Sequence, residues 1–354
     1  MPAVWRYFPD PSILRSASAE GDHLLSELRG GGDRSGQRAA AISAPRILLA
    51  PDEDESFLEA IVQGGGVALS IADAASADAV IWTDPHHPEA LGELLAGMAA
   101  RWVQLPFAGI EAFFEAGILD PDRVWTCAKG IYGPSCAEHA LMLMLAASRR
   151  LHEHVVATSW RPGGGGAGAP EERLRGSSVL IVGTGGTGRA LVPMLEPLGC
   201  RVTAVNRSGT PLPGAQTTET VDSLPRLVGD ADYVVLAAAL TPQTHHLFDA
   251  AMLEYMRPSA WLINVARGGL IDTDALVRAL SRDELGGVGL DVTDPEPLPD
   301  GHPLWSLPNA MITPHVANTW AMALPELAAL VTRNVKAFAS DLPLEGRVDV
   351  QAGY

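Results

Sequence analysis

The sequence predicts an α/β protein of two domains, the second built on a doubly wound sheet, and three observations carry that reading. From Arg46 onward, short β-rich runs alternate with helix-like stretches, the rhythm of β-α-β units. Near Gly183 a glycine-rich turn separates one apolar run from an amphipathic segment. A chain of 354 residues with 47% hydrophobic content can bury a large core and exceeds the length at which single cores usually split.

Taken in order, residues 1–45 contain RGGGDRSGQ and little periodicity, so they read as an extension with one short helix around Asp22 to Leu28. The runs ILLA, VALSI, AVIWT and WVQLP then alternate with stretches such as PEALGELLAGMAA, giving a first α/β domain. AEHALMLMLAASRRLHEHVV, from Ala137, is apolar on much of its circumference and free of Gly and Pro, which predicts one buried helix. The cluster SWRPGGGGAGAP after it cannot pack as helix or strand and marks a domain boundary or a surface loop. Six strand-like runs follow: VLIVG ending at Gly183, RVTAVN at Asn206, YVVLAAA at Ala239, WLINVA at Ala266, GVGLDV at Val292 and AMITP at Pro314. Most are near-continuous apolar runs, as parallel strands covered on both faces require. The tail from Trp320 offers an amphipathic helix, PELAALVTRNVKAFAS, and an extended piece, GRVDV, expected to fold back on the first domain. The expected organisation is an extension at 1–45, a discontinuous domain at 46–150 and 326–354, and the doubly wound domain at 151–325.

Composition narrows the function classes. A formal net charge of −17 argues against a nucleic-acid partner, because neutralising phosphates needs clustered Lys and Arg. Cys127, Cys136 and Cys200 are too few and too scattered for a disulfide framework or a Cys-x-x-Cys metal site, which fits a reducing cytoplasm. No window holds the roughly 18 or more apolar residues of a membrane span, and the first residues lack a continuous apolar core after a basic start. A small-molecule partner and a cytoplasmic location are the expectations, with no membrane, nucleic-acid or metal role.

The segment VLIVGTGGTGRALVPMLEPLGCRVTAVN places Gly183, Gly185 and Gly188 in G-x-G-x-x-G spacing between a strand and a helix. Such glycines permit a tight turn and close approach, and the helix N-terminus offers amides and a positive dipole to a pyrophosphate. Gly183, Gly185, Gly186, Thr187 and Gly188 are therefore the expected dinucleotide turn. The next strand ends in Asn206-Arg207-Ser208, with no acidic residue before Glu219 to bond the adenine ribose. A guanidinium and a hydroxyl there suit a 2′-phosphate, so NADP is favoured over NAD. Ala239, Thr244 and Ala266, at or just beyond later strand ends, complete the candidate cofactor contacts.

Ligands of open α/β sheets bind beyond the carboxyl ends of strands, and three runs deliver a reactive group there. Arg267 follows WLINVA, Asp291 lies in GVGLDV with Glu296 shortly after, and His315 follows AMITP. Reducing a ketone by hydride requires a proton donor titrating near neutrality, a role open to His315. A neighbouring carboxylate favours its charged form, and Glu296 is the nearest acidic candidate. Arg267 presents a planar fork to a carboxylate or polarised carbonyl. His302, the pair His245 and His246, and the pair His86 and His87 read as solvated or structural.

Those motifs resemble the D-isomer-specific 2-hydroxyacid dehydrogenases over roughly Arg101 to the C-terminus. AEHALMLML, VLIVGTGGTG, LTPQTHHLF, NVARGGLIDTDAL, GLDVTDPEPLPDGHPLW and LPNAMITPHVAN carry the resemblance, in the family's order. It implies a Rossmann-type cofactor domain with a discontinuous, flavodoxin-like substrate domain. It also implies reversible hydride transfer between NAD(P)H and a 2-oxo or D-2-hydroxy acid, with Arg267, Glu296 and His315 as the catalytic groups. By the same resemblance Asp291 contacts the nicotinamide carboxamide, the backbone of Phe107, Ala108 and Gly109 holds the substrate carboxylate, and the assembly is a homodimer through the cofactor domain. Two departures stand out: Cys127, three residues before Gly130, replaces an Asn common in the family, which bears on specificity, and Ala239 replaces a Pro at the cofactor edge. Some proteins resembling this family are cofactor-sensing corepressors, a class that retention of all three catalytic groups argues against. Formate or phosphite oxidation is the second enzymatic alternative.

Overall fold

A computed structural model describes residues 44–160, 171–351 and 353, and in it the apolar runs become parallel strands in two sheets. The short helix expected near Asp22 and the glycine run at 161–170 lie outside the described residues.

The first sheet contains β1 (Arg46–Ala50), β2 (Val67–Leu69), β3 (Ala79–Trp82), β4 (Trp102–Gln104) and β5 (Val124–Thr126). Its order β2-β1-β3-β4-β5 is the flavodoxin-like one, with every pairing parallel. Helices α1 (Glu55–Gln63), α2 (Pro88–Ala96) and α3 (Glu111–Glu115) connect these strands. The Asp54 carboxylate caps α1 by accepting from the Ser56 amide at 2.8 Å, and Pro88 opens α2, where its missing N–H costs nothing.

Two further helices follow: α4 (Gly133–Ser148) and α5 (Leu151–Val155). The sequence reading runs one helix through this stretch, but Arg150 adopts a left-handed φ of 48° and breaks it. No Gly or Pro announces that break. Although the expected boundary at 150 groups α4 with the first sheet, its buried residues Ala137, Ala140, Leu143, Met144 and Ala147 pack under the second, beside Val179, Ile181 and Ile263.

The second sheet and its helices run β6 (Ser178–Val182), α6 (Gly186–Leu195), β7 (Arg201–Val205), β8 (Thr217–Glu219), α7 (Leu224–Val228), β9 (Tyr233–Leu236), α8 (Ala250–Glu254), β10 (Trp261–Asn264), α9 (Thr273–Ser281), β11 (Gly287–Leu290) and β12 (Ala310–Ile312). The order β12-β11-β10-β9-β6-β7-β8 reverses direction at β6, with every pairing parallel, and that reversal is the Rossmann switch point. Both faces of β6, β9, β10 and β11 are buried, which explains their unbroken apolar text. β8 reads TTE, contains no apolar residue and lies at the sheet edge, so the sequence gives no strand signal for it.

The last helix, α10 (Trp320–Ala339), starts earlier than expected and carries Pro325 within its first turns. Leu327, Val331 and Val335 enter the core of the first sheet with Ile47, Phe57 and Ile61. GRVDV forms no strand; Arg347 makes a single antiparallel bridge to Thr126. Among the described residues no helix is long and apolar enough to cross a membrane.

Candidate active site

The glycine turn sits at the switch point, and its geometry explains its composition. Gly183 has φ 105°, and a Cβ there would fall 2.5 Å from the Ala237 carbonyl. A Cβ on Gly188 would fall 2.4 Å from the Gly183 oxygen, whereas one on Gly185 would meet nothing within 4 Å. α6 begins at Gly186 without a capping side chain, so its first amides are left for a ligand. These features fit a dinucleotide pyrophosphate. Thr187 faces α4, where its hydroxyl bonds the Cys136 thiol, whose pKa burial pushes up to about 11.

At the end of β7, Asn206 organises the turn itself. Its Nδ2 donates to Thr184 Oγ1 (3.0 Å) and the Thr210 carbonyl (2.8 Å), while its Oδ1 accepts from the Ser208 amide (3.1 Å). Arg207 and Ser208 are exposed on that turn. After β9, the Thr244 hydroxyl donates to the Ala239 carbonyl at 2.7 Å and accepts from the Thr241 amide at 2.8 Å, so it locks its own loop.

The strand ends of β10, β11 and β12 bring Arg267, Asp291, Glu296 and His315 together. Fully buried Asn264 pins the first loop: its Nδ2 donates to the Arg267 carbonyl (2.8 Å) and its Oδ1 accepts from the Ala266 amide (3.0 Å). Gly268 is needed because a Cβ would lie 2.0 Å from the backbone of Thr293, in the loop that carries Glu296. Asp291, 2% exposed, has a role beyond the expected cofactor contact. Its carboxylate accepts from the amides of Val316 (2.9 Å) and Ala317 (2.8 Å) and from the Thr313 hydroxyl (2.6 Å), and its carbonyl accepts from the His315 amide (2.8 Å). These bonds hold His315 at φ 52°, a left-handed conformation costly for histidine. Behind them, His139 Nε2 lies 2.8 Å from the Thr313 hydroxyl. Because that hydroxyl's proton goes to Asp291, the imidazole N–H is the donor.

His315 Nδ1 lies 2.5 Å from Glu296 Oε1. That hydrogen bond, opposed by burial, raises the histidine pKa above its ordinary value; Glu296's charge adds to the rise and nearby Arg267 opposes it. Burial works to raise the Glu296 pKa, but the His315 hydrogen bond and charge and the Thr293 amide outweigh it and hold it low.

The loop Pro106–Gly109 reaches the same place from the first sheet. Its carbonyls are claimed by the protein: Pro106 accepts from the Tyr132 hydroxyl (3.1 Å), Phe107 from the Ala128 amide (3.1 Å) and Ala108 from the Cys127 thiol (3.6 Å). The amides of Phe107, Ala108 and Gly109 donate to no acceptor among the described residues. Gly109 lies against Arg267, whose Nη2 would be 1.7 Å from an added Cβ. Sequence reasoning missed Glu111, His139 and Thr313. Glu111 accepts from Arg267 Nε at 3.1 Å, and its only sequence signal is its place just after the PFAG turn. His245, His246 and Asp294 bring ligand-type atoms within 4.8 Å of one another, but the imidazoles stack at 3.9 Å and 26°, so their in-plane lone pairs run side by side rather than converge. His302 accepts from the Leu304 amide and caps a short turn.

The sheet order and its glycine-lined turn define a dinucleotide-binding α/β protein. Residues 141–317 match the family described as D-isomer specific 2-hydroxyacid dehydrogenase, NAD binding domain, and the chain belongs to that family. It is 38% identical over 306 residues to an uncharacterized protein in the proB 3′ region of Corynebacterium melassecola, covering 83% of this chain and 95% of that one. It is 34% identical over 212 residues to the human glyoxylate reductase/hydroxypyruvate reductase, covering 57% of this chain and 62% of the reductase. Among solved structures, a D-isomer specific 2-hydroxyacid dehydrogenase family protein from Aeromonas salmonicida is similar with a TM-score of 0.72 and 29% identity, over 87% of this chain and all of the other. An NADPH-dependent glyoxylate/hydroxypyruvate reductase from Sinorhizobium meliloti, in complex with NADP and sulfate, follows with a TM-score of 0.71 and 25% identity, over 88% and 100%. Family membership makes this chain an NAD(P)-dependent oxidoreductase acting on a CH–OH group.

Proposed function

We propose that the chain reduces small 2-oxo acids to D-2-hydroxy acids in the manner of a glyoxylate/hydroxypyruvate reductase, with NADPH preferred to NADH. The observation that carries the reading is the His315–Glu296 pair at 2.5 Å beside Arg267, on the strand ends next to the dinucleotide turn. The residues Gly183, Gly185, Gly186, Thr187 and Gly188, Asn206 to Ser208, Ala239, Thr244, Ala266, Asp291 and His315 hold the cofactor, which supplies the hydride when bound. The Phe107–Gly109 amides and the Nη donors of Arg267 hold the substrate carboxylate and polarise its carbonyl. With Nδ1 engaged by Glu296, Nε2 is the nitrogen left to protonate the carbonyl oxygen, and the half-exposed imidazole recovers its proton from water. Oxidation runs the same transfers backwards.

The NADPH preference is supported by Asn206-Arg207-Ser208 standing where a ribose-binding carboxylate is absent. A homodimer through the cofactor domain is supported by the apolar side chains that α4 and α5 leave to solvent: Met142, Leu145 and Leu151 are 41–49% exposed. A screen of glyoxylate, hydroxypyruvate, pyruvate and bulkier 2-oxo acids, following oxidation of NADPH and NADH at 340 nm, tests the function. The expected result is turnover of the smallest acids with NADPH; no turnover of any acid with either cofactor overturns it.

A further inference from the structure

Glu111 places a carboxylate in the cleft on the first-sheet side. It opens α3, two residues after Gly109, where an acidic residue also complements the helix dipole. Its carboxylate bonds elsewhere, however: Arg267 Nε donates to Oε1 at 3.1 Å, and a Cβ at Gly109 would fall 2.6 Å from Oε2. The two side chains are 35% and 29% exposed, so solvent screens the pair only in part. Arg267 Nη1 gives a further bond to the Ala266 carbonyl at 2.8 Å. With Nε and part of Nη1 committed, what remains for a ligand is the outer edge of the guanidinium, enough for one carboxylate.

We propose that Glu111 is a specificity-determining residue that admits 2-oxo acids carrying a single negative charge and rejects those with a second. The inference rests on the reading above of Arg267 as the substrate anchor. Around the anchor, Arg267 and protonated His315 are each already matched by a carboxylate, Glu111 and Glu296, so the cleft holds no spare positive charge before substrate enters. One substrate carboxylate is compensated by the Nη donors and the loop amides. A second, on any side chain short enough to remain in the cleft, lies near Glu111 without a cation of its own. Repulsion of the wrong ligand is a recognised route to specificity.

The test measures kcat/KM with saturating NADPH for glyoxylate and hydroxypyruvate, as monoanions, and for oxaloacetate and 2-oxoglutarate, as dianions, in wild type and Glu111→Gln. Glutamine retains an acceptor for Arg267 Nε and removes the charge. The dianion-to-monoanion ratio is expected to rise at least tenfold in Glu111→Gln, equivalent to about 1.4 kcal/mol of discrimination. In wild type the same ratio should climb with ionic strength, a measurement that needs no variant. A ratio that stays put in the folded variant, or a wild-type ratio indifferent to salt, shows Glu111 to be structural only and overturns the inference. Wild type inactive on all four acids overturns the proposed function itself, and this inference with it, whereas turnover with an unmoved ratio overturns the inference alone.

Discussion

The two sheets present opposite kinds of chemistry to the cleft. The second sends side chains, each on a loop that follows a strand and is fixed by a buried polar residue: Asn264 under Arg267, Asp291 under His315. The first sends mainly backbone, the turn Pro106–Gly109, whose Pro106, Phe107 and Ala108 carbonyls are tied down and whose amides remain. The contrast teaches that one site can be assembled from two separately built frameworks: under the proposed function both contribute to anion recognition, through amides and Arg267, while proton transfer belongs to the second alone. It also means that damage to each should show a different kinetic signature.

The largest expected effects break the second framework. Arg267→Lys loses the planar fork, and the expected fall in kcat/KM is on the order of 10³ or more with little change in cofactor affinity. His315→Asn keeps a residue that tolerates the left-handed backbone but whose amide does not ionise near neutral pH, and losing a general acid costs about 10² to 10⁴ in rate. Near-normal turnover by either variant removes that residue from the mechanism.

Next comes the first framework. Gly109→Ala forces a Cβ into Arg267 Nη2, displacing the anchor and its turn together, and a misplacement of about 1 Å can cost roughly 10². If steady-state kinetics in this variant match wild type, the turn does not hold substrate.

Glu296→Gln sharpens the comparison through pH. Reduction consumes a proton, so His315 must enter charged; its raised pKa keeps activity at low and neutral pH, and activity falls as pH rises through that pKa. Removing the carboxylate's charge should move the falling limb of kcat/KM to lower pH, each unit corresponding to about 1.4 kcal/mol of interaction. Superimposable profiles would show Glu296 to be a bystander. The smallest effect is expected at Arg207→Ala, which should raise the KM for NADPH about tenfold and leave NADH nearly unchanged, as losing a charge-assisted bond to a 2′-phosphate implies. Equal changes for the two cofactors would reject the 2′-phosphate assignment.

The same contrast explains what the sequence disclosed. Strands β6, β9, β10 and β11 are buried on both faces and therefore spell themselves in unbroken apolar letters, and the reactive groups follow them directly. β8, TTE, contains no apolar residue and so leaves no run to read. Phe107, Ala108 and Gly109 could be reached only by family resemblance, because an amide looks the same in every residue type. Glu111 was hidden by a sufficient alternative explanation, the acidic first turn of a helix. The structural duty of Asp291 was hidden because its partners, Val316 and Ala317, contribute backbone amides.

The segment behind the Pro106–Gly109 turn has one more support. The Cys127 amide donates to the Gly346 carbonyl at 2.8 Å, the Val348 amide to the Trp125 carbonyl at 2.9 Å, and Lys129 Nζ to the Arg347 carbonyl at 2.9 Å. Gly346 itself has φ 72°, and a side chain there would strike the Cys127 oxygen. During synthesis, then, Arg267, Glu296 and His315 all leave the ribosome before the segment behind that turn can be fastened from Gly346 to Val348. A nascent chain stalled before Gly346 would carry the whole second sheet and the candidate side chains, yet Trp125, Cys127 and Lys129 behind the Pro106–Gly109 turn would lack their C-terminal partners, so the site should reach its final rigidity late in translation rather than in proportion to length.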